Sequence, residues 1–310
     1  MSDRRENLPI FSSTGQEVGI AEGPLRPDSS LSAAIQVWGE DLENSGRSIN
    51  TVKAFTGDMR LLARFMGAGH PINSIGTHDL RNFLDWMLNR RGVPCSPKTY
   101  SRRVTSLKAF FRWLVHAGVL VEDPAAAIPQ ESVLSPLPVV LTQDELLAVL
   151  KAAEGMRQKE SPDARPFTLV NLLLHTGIKK SECLAIHLNH VDLKSTDGQI
   201  LWIRYGDVSK RYRERKLPLD SNWVPAYQEY LKQYEPSERL FPYSPRRLEY
   251  LLEDIGEDAG LEKHLSFNMC RWTSALTDYK SGMDKDSLRQ KLGISKIQWR
   301  EVGMKLDRLA

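Results

Sequence analysis

The chain reads as a two-domain, mainly α protein with a small antiparallel β-sheet in its second half. Three observations predict this. Apolar residues recur at three- and four-residue steps in segments that open on Ser or Thr and close on Gly. A proline-rich stretch without helical period, "EDPAAAIPQESVLSPLPVVLT", interrupts them and reads as a linker. Beyond it "QILWIRYG" alternates as a strand does, and "RERKLPL" can return as its partner.

The elements follow in order. Residues 1–30 are rich in Ser, Gly, Pro and Glu and lack a periodic apolar pattern, so they read as a mobile arm. Four helices are then expected over 31–122. The first carries Leu31, Ile35, Trp38 and Leu42 on one face and can stop at Gly46; the second carries Val52, Phe55, Met59, Leu62 and Phe65. "THDLRNFLDWMLNRRG" opens on Thr77 as a cap and closes at Gly92. The fourth begins at Ser96-Pro97, a cap followed by proline at the first helical position, and buries Val104, Leu107, Phe111 and Leu114. Residues 123–141 are the expected linker. Thr142 and Glu145 form a capping box that opens the second domain, 142–310. "RPFTLVNLLLHTG" reads as a buried helix and "SPRRLEYLLEDIGEDAG" as a capped one; Phe267 to Leu309 reads as helices broken near Gly282 and Gly293.

Composition bounds the partners. Three widely spaced cysteines among 310 residues point to a reduced compartment rather than a disulfide scaffold. The start lacks an apolar h-region, so no signal peptide is expected, and no run of eighteen apolar residues offers a membrane span. The net charge of +3 is mild, so its location matters more. Ser96 to Ala117 holds five basic residues and no acidic one, and "KRYRERK", Lys210 to Lys216, holds five in seven. Such clusters are commonly solvated faces. Two of them, one in each domain, suit a clamp on duplex DNA, where phosphate neutralisation supplies most of the affinity. The residues assigned to that contact are Lys53, Lys98, Arg102, Arg103, Arg211, Arg213 and Arg215. Neutralising Arg102 and Arg103 together is expected to weaken binding to all duplexes.

From about Leu31 to its end the chain resembles the tyrosine recombinases of the phage integrase type. "KTYSRRVTSLKAFFRWLVHAGVLVEDP" is similar to the end of the family's helical, SAM-like core-binding domain. "LLLHTGIKKSECLAIHLNHVDL" follows the family pattern "LLxxTGLRxxELxxLxWxDID", and "SKRYRERKLPL" follows "GKGxKxRxVPL". "LSFNMCRWTSALTDYKSGMDKDSLRQKLGIS" follows "xTPHxLRHxFAxxLxxxGxDxxxIxxxLGHS" without a gap. The resemblance implies a core-binding domain followed by a catalytic-type domain. It also implies a chemistry in which a tyrosine attacks a DNA phosphodiester, two arginines stabilise the charge that develops, and a lysine protonates the leaving 5′-oxygen. No metal or other cofactor is implied.

Carried over position by position, the resemblance puts Lys179 in place of the first arginine. Lysine keeps the charge but loses the planar fork. Lys210 stands at the lysine position and Arg271 at the second arginine. The two histidine-type positions hold Asn268 and Ile294, and the residue after Arg271 is Trp272. The nucleophile position falls on Gly303, and no tyrosine follows Tyr279. Tyr212 and Tyr279 remain candidates for a displaced nucleophile, and Trp299 for the lost aromatic position or for core. Cys183, His187 and His190, at four- and three-residue steps on a predicted helix, would make three metal ligands without a fourth; no metal is expected. The chain runs seven residues past Gly303, so a tail for exchange with a neighbour reads as short.

The reading is a cytoplasmic, nucleoid-associated, duplex-DNA-binding pseudoenzyme. It would act as an accessory or regulatory factor in recombination or in a mobile element, and Lys179, Lys210 and Arg271 would grip a phosphate without cutting. An active integrase or transposase subunit with a displaced nucleophile, and a module that binds another recombinase-like chain or a second copy of itself, are the rival readings.

Overall fold

The computed structural model describes residues 25–130, 136–196 and 198–310. The chain divides into two units, 1–135 and 136–310. In the first, α1 (Leu31–Asn44) and α2 (Ile49–Met66) are followed by α3 (Thr77–Asp85), a π-helical turn over Trp86–Arg90, and α4 (Pro97–His116). Ser30, Ser48 and Ser96 cap α1, α2 and α4 by accepting a bond from the backbone N–H three residues on. Their apolar faces close on one core around Trp38, Met59, Leu62, Phe83, Phe110 and Phe111. The cap of α3 differs from expectation. Gly76 occupies the cap position, and its N–H donates to Asp79 (2.9 Å). Thr77 is already helical, and its hydroxyl donates to the Pro124 carbonyl (2.7 Å).

That bond also revises the anticipated linker. Ala125 and Ile128 are buried in the first core, and Lys108 donates to the Ala126 carbonyl (3.2 Å). At the other end Leu141 is buried in the second core, and its N–H donates to Thr273 Oγ1 (2.9 Å). Prolines interrupt helix here without preventing side chains from reaching a core. Most of the anticipated arm, 1–24, lies outside the described residues. Residues 25–30 are held down: Leu25 is buried, and Pro27 and Ser29 accept bonds from Asn73 and Ile72.

The second unit is built around α6 (Arg165–Thr176), which is buried nearly throughout its length. It packs on α5 (Gln143–Arg157), and also on α8 (Trp223–Tyr234) and α10 (Phe267–Lys280). The Thr142–Glu145 capping box opens α5. A one-turn helix, α7 (Lys180–Cys183), leads into the sheet β1 (Val191–Asp192), β2 (Ile200–Ile203) and β3 (Arg215–Pro218), antiparallel in that order. Trp202 stands opposite Lys216. Leu201, Ile203 and Leu217 face the core, while Trp202 and Lys216 face away from it. After α9 (Pro245–Asp258), α10 joins α11 (Lys285–Lys291) and α12 (Lys296–Leu309) around a smaller core of Leu276, Leu288, Leu292 and Leu306. No helix among the described residues is long and apolar enough to cross a membrane.

Candidate functional site

The turn after α6, the start of α7 and α10, strand β3 and the α11–α12 turn meet at one place. Gly177 ends α6 in the left-handed region (φ 61°), and a Cβ there would lie 3.1 Å from Ser274 Oγ. The turn sets Lys179 at the cap of α7. Its N–H donates to Glu182 Oε2 (2.8 Å), and its ammonium donates to the Gly293 carbonyl (3.0 Å), 3.7 Å from Glu182 Oε1.

Glu182 is the centre of this arrangement, with a side chain only 1% exposed. Arg215 donates to it through two bonds, 2.9 and 3.1 Å, and the Tyr205 hydroxyl donates a third. Burial disfavours the carboxylate, but the Arg215 fork, the Lys179 N–H and Tyr205 outweigh it and hold Glu182 down at about 2. Arg215 also donates from Nε to the Lys291 carbonyl (2.7 Å). A Cβ on Gly293 would fall 2.5 Å from Arg215 NH1, so the turn that receives this arginine needs glycine there.

Arg271, on the second turn of α10, donates to the Gly177 and Leu292 carbonyls. Burial pulls it down to about 10, so it stays charged at neutral pH. Burial also lowers Lys179, to about 8; Glu182 opposes the shift, and the positive fields of Arg271, Arg215 and Arg213 add to it. Lys179 and Arg271 thus form a cationic cluster stapled to main-chain carbonyls.

The other anticipated residues are placed as follows. Lys210 lies in a 3₁₀ turn between β2 and β3, and its ammonium pairs with Asp207 (2.8 Å) rather than with any pocket group. Asn268 is exposed near the start of α10. Ile294 and Trp299 pack on the small core beside α12. Gly303 is inside α12, and a Cβ there would make only ordinary contact with Trp299, at 3.5 Å. The Tyr279 hydroxyl donates to Asp307, and Tyr212, 68% exposed, accepts from Arg213 Nε (2.9 Å). Cys183 is buried at the end of α7, and His187 and His190 come after that helix has stopped, so the three share no helix face. Among the described residues, no three ligating side chains are grouped so as to hold a metal.

Lys53, Lys98 and Arg211 are exposed, and Arg213 is half-buried over the Tyr212 ring. Three of the anticipated DNA contacts are engaged within the protein. Arg215 belongs to the buried pair with Glu182. Arg102 donates to the buried Asp58 and to the Ala54 carbonyl (3.2 Å), and Arg103 stands 3.5 Å from the same carboxylate. Glu182 and Tyr205 were not among the anticipated site residues. Glu182 occupies the acidic position of the "LRxxEL" pattern, a carboxylate in an apolar stretch, and that was its signal.

Residues 139–300 match the phage integrase family, and residues 35–118 match the phage integrase N-terminal SAM-like domain. The chain belongs to the phage integrase family, a family of DNA recombination proteins. It is 34% identical over 149 residues to the tyrosine recombinase XerC of Mycobacterium bovis, a match over 47% of this chain and 49% of the relative. The chain therefore spans about half the length of that relative. It is 23% identical over 276 residues to the tyrosine recombinase XerD of Listeria innocua, over 83% of this chain and 88% of that one. Among solved structures, XerH bound to palindromic difH substrate in a post-cleavage complex shares the fold with a TM-score of 0.69 at 17% identity, covering 90% of this chain and 82% of that one. A lambda integrase dimer bound to a COC′ core site gives 0.68 at 16%, covering 89% and 77%.

Proposed function

We propose that the chain binds duplex DNA as an accessory or regulatory factor in recombination or integration, and does not cleave strands. The carrying observation is Gly303. On the resemblance drawn from the sequence Gly303 takes the family's nucleophile position; α12 offers no side chain there, and the covalent route has no first step without one. The rival tyrosines are otherwise engaged: Tyr279 on Asp307, and Tyr212 with Arg213 in the β2–β3 connection. Lys179 and Arg271 would hold a backbone phosphate, and Lys53, Lys98, Arg211 and Arg213 would add phosphate contacts. The DNA in the XerH and lambda integrase complexes supports the partner assigned here, and the lambda dimer supports assembly with like subunits.

The test is a nicked suicide duplex carrying the sequence that the protein selects from a random pool. No covalent protein–DNA band is expected. A band that disappears in Tyr212→Phe or Tyr279→Phe would restore the displaced-nucleophile reading.

Lysine at the first arginine position gives the grip a pH dependence. Lys179 is charged below about 8 and neutral above it, so its phosphate contact is present at pH 7 and lost as pH rises through 8. DNA affinity at fixed salt is expected to fall several-fold between about pH 7 and pH 9. In Lys179→Arg the guanidinium stays charged and that fall should vanish. Parallel pH curves for the two proteins would remove Lys179 from the interface.

A second reading, docking on another recombinase-like chain, has one observation of its own. On α12, Ile297 (79% exposed) and Met304 (50%) lie two turns apart on the outer face. A gel shift across salt separates the readings, because DNA affinity must fall steeply as salt rises and an interaction module has little to lose.

A further inference from the structure

Lys179 brings to the cationic cluster a group that no guanidinium can replace: an amine, which can attack an acyl carbon. Its geometry favours the attack. The side chain is 30% exposed, so a small reagent can reach Nζ. Nζ hangs from the Gly293 carbonyl (3.0 Å), next to the Leu292 carbonyl that receives Arg271. The carboxylate oxygen beside it, Glu182 Oε1 at 3.7 Å, also accepts from Arg215 NH1 (3.1 Å) and from the Tyr205 hydroxyl. One carboxylate is thus divided among two cations and a phenol. The charged groups that act on Nζ are Glu182 on α7, Arg271 on α10, Arg215 on β3 and Arg213 just before it. A half-buried amine among guanidinium groups sheds its proton more readily than one in water, and this is a general way to make a lysine nucleophilic. Held at about 8, Lys179 has about one-tenth of its amine free at pH 7, against roughly one part in 3,000 at the ordinary 10.5.

Lys180, the next residue, supplies the contrast. Its side chain is 35% exposed, but its ammonium pairs directly with Glu249 (2.5 Å). The two lysines differ in surroundings and hardly in access. The surrounding cations also select the reagent. An acyl phosphate is an anion, so it gathers where positive charge is concentrated. It departs as inorganic phosphate, whose developing charge the same field stabilises.

We propose that Lys179 is a modification site, acylated by small acyl phosphates, and that the modification switches off its contribution to phosphate binding. The Nζ lone pair attacks the acyl carbon and the N–C bond forms. The bond from that carbon to the phosphate oxygen breaks, and phosphate leaves with its electron pair and takes up one amine proton. The product is an amide without charge, so the grip on an anion is lost. The site stands without DNA; its effect on binding rests on the DNA-binding reading above.

The experiment treats the full chain with acetyl phosphate at pH 7 and reads initial acetylation rates at Lys179 and Lys180 by fragmentation mass spectrometry of the peptides. Lys179 should react about tenfold faster, because lower basicity takes back part of the gain in free amine. Its rate should level off above about pH 8. Equal rates at the two lysines, or a slower Lys179, overturn the proposal. DNA affinity is then compared for the treated parent and treated Lys179→Arg, whose guanidinium resists acylation. The parent should lose several-fold more affinity than the variant. Fast labelling with equal losses keeps the modification site and overturns the switch. A parent that ignores DNA before treatment sinks the DNA-binding reading, and the labelling rates still decide the site.

Discussion

Glu182→Ala is expected to melt far below the parent, with the loss confined to the second unit. Its carboxylate is buried and meets Arg215, a side chain only 9% exposed, while also accepting the Lys179 N–H and the Tyr205 hydroxyl. Removing it strands a buried guanidinium, which costs about 3–5 kcal/mol. For a unit of this size that is a fall of roughly 10 °C. Glu182→Gln keeps the volume and part of the bonding, and should fall less. Acid provides an independent check. The folded value is about 2 against an ordinary 4.5. A depressed carboxylate contributes its stability above its unfolded value and loses it as pH falls through the folded one. About 3 kcal/mol should therefore disappear between pH 4.5 and 2 at this group, and Glu182→Gln should lack that share of the acid transition. Equal melting temperatures for parent and Glu182→Ala would show that the pair does not hold the site together.

The same cluster explains how much of the site was legible in the sequence. Lys179 and Arg271 were found because the resemblance aligns them with the family's two arginine positions, and Gly293 and Gly177, both in the left-handed region, shape the turns whose carbonyls receive them. What stayed hidden was the division of labour among cations. "KRYRERK" shows charge without direction. Direction comes from the strand period: Arg215 shares its face with Leu217, so it points into the core, whereas Lys216 points out with Trp202. Applied to the basic run, that alternation would have marked Arg215 as buried and in need of a carboxylate. The helices were easier because Ser and Thr caps and glycine stops announce their ends; α3 slipped by one residue because glycine can stand at a cap as well as threonine. Strand β1, only two residues long, and the one-turn α7 are too short for any period to register. They exist because β2 and the Gly177 turn give them partners.

The period of α4 carries the last consequence. Arg102→Ala/Arg103→Ala, expected from charge alone to weaken DNA binding, should instead destabilise the first unit. Arg103 lies one turn before Leu107 and two before Phe110, on the buried face, and its side chain is 13% exposed. Across from it α2 buries Asp58 between Gly57 and Met59. Ser106 donates to that carboxylate (2.8 Å), and both arginines flank it. Burial raises the Asp58 carboxyl above its ordinary value even so, because desolvation outweighs Ser106 and the two arginines; without the arginines the ionised form has little to hold it. The double variant should lose about 3 kcal/mol or more, a drop of roughly 10 °C or more in the melting of that unit. Adding Asp58→Asn should return part of the loss, since the stranded charge goes with it. Lys53→Ala/Lys98→Ala, at exposed positions, is the contrasting pair: melting unchanged, DNA affinity lower and the salt slope shallower by about two. Circular dichroism melting and a salt series on both variants decide the assignment. If the arginine variant melts with the parent and its salt slope flattens, Arg102 and Arg103 face the DNA and Asp58 is held by Ser106 alone.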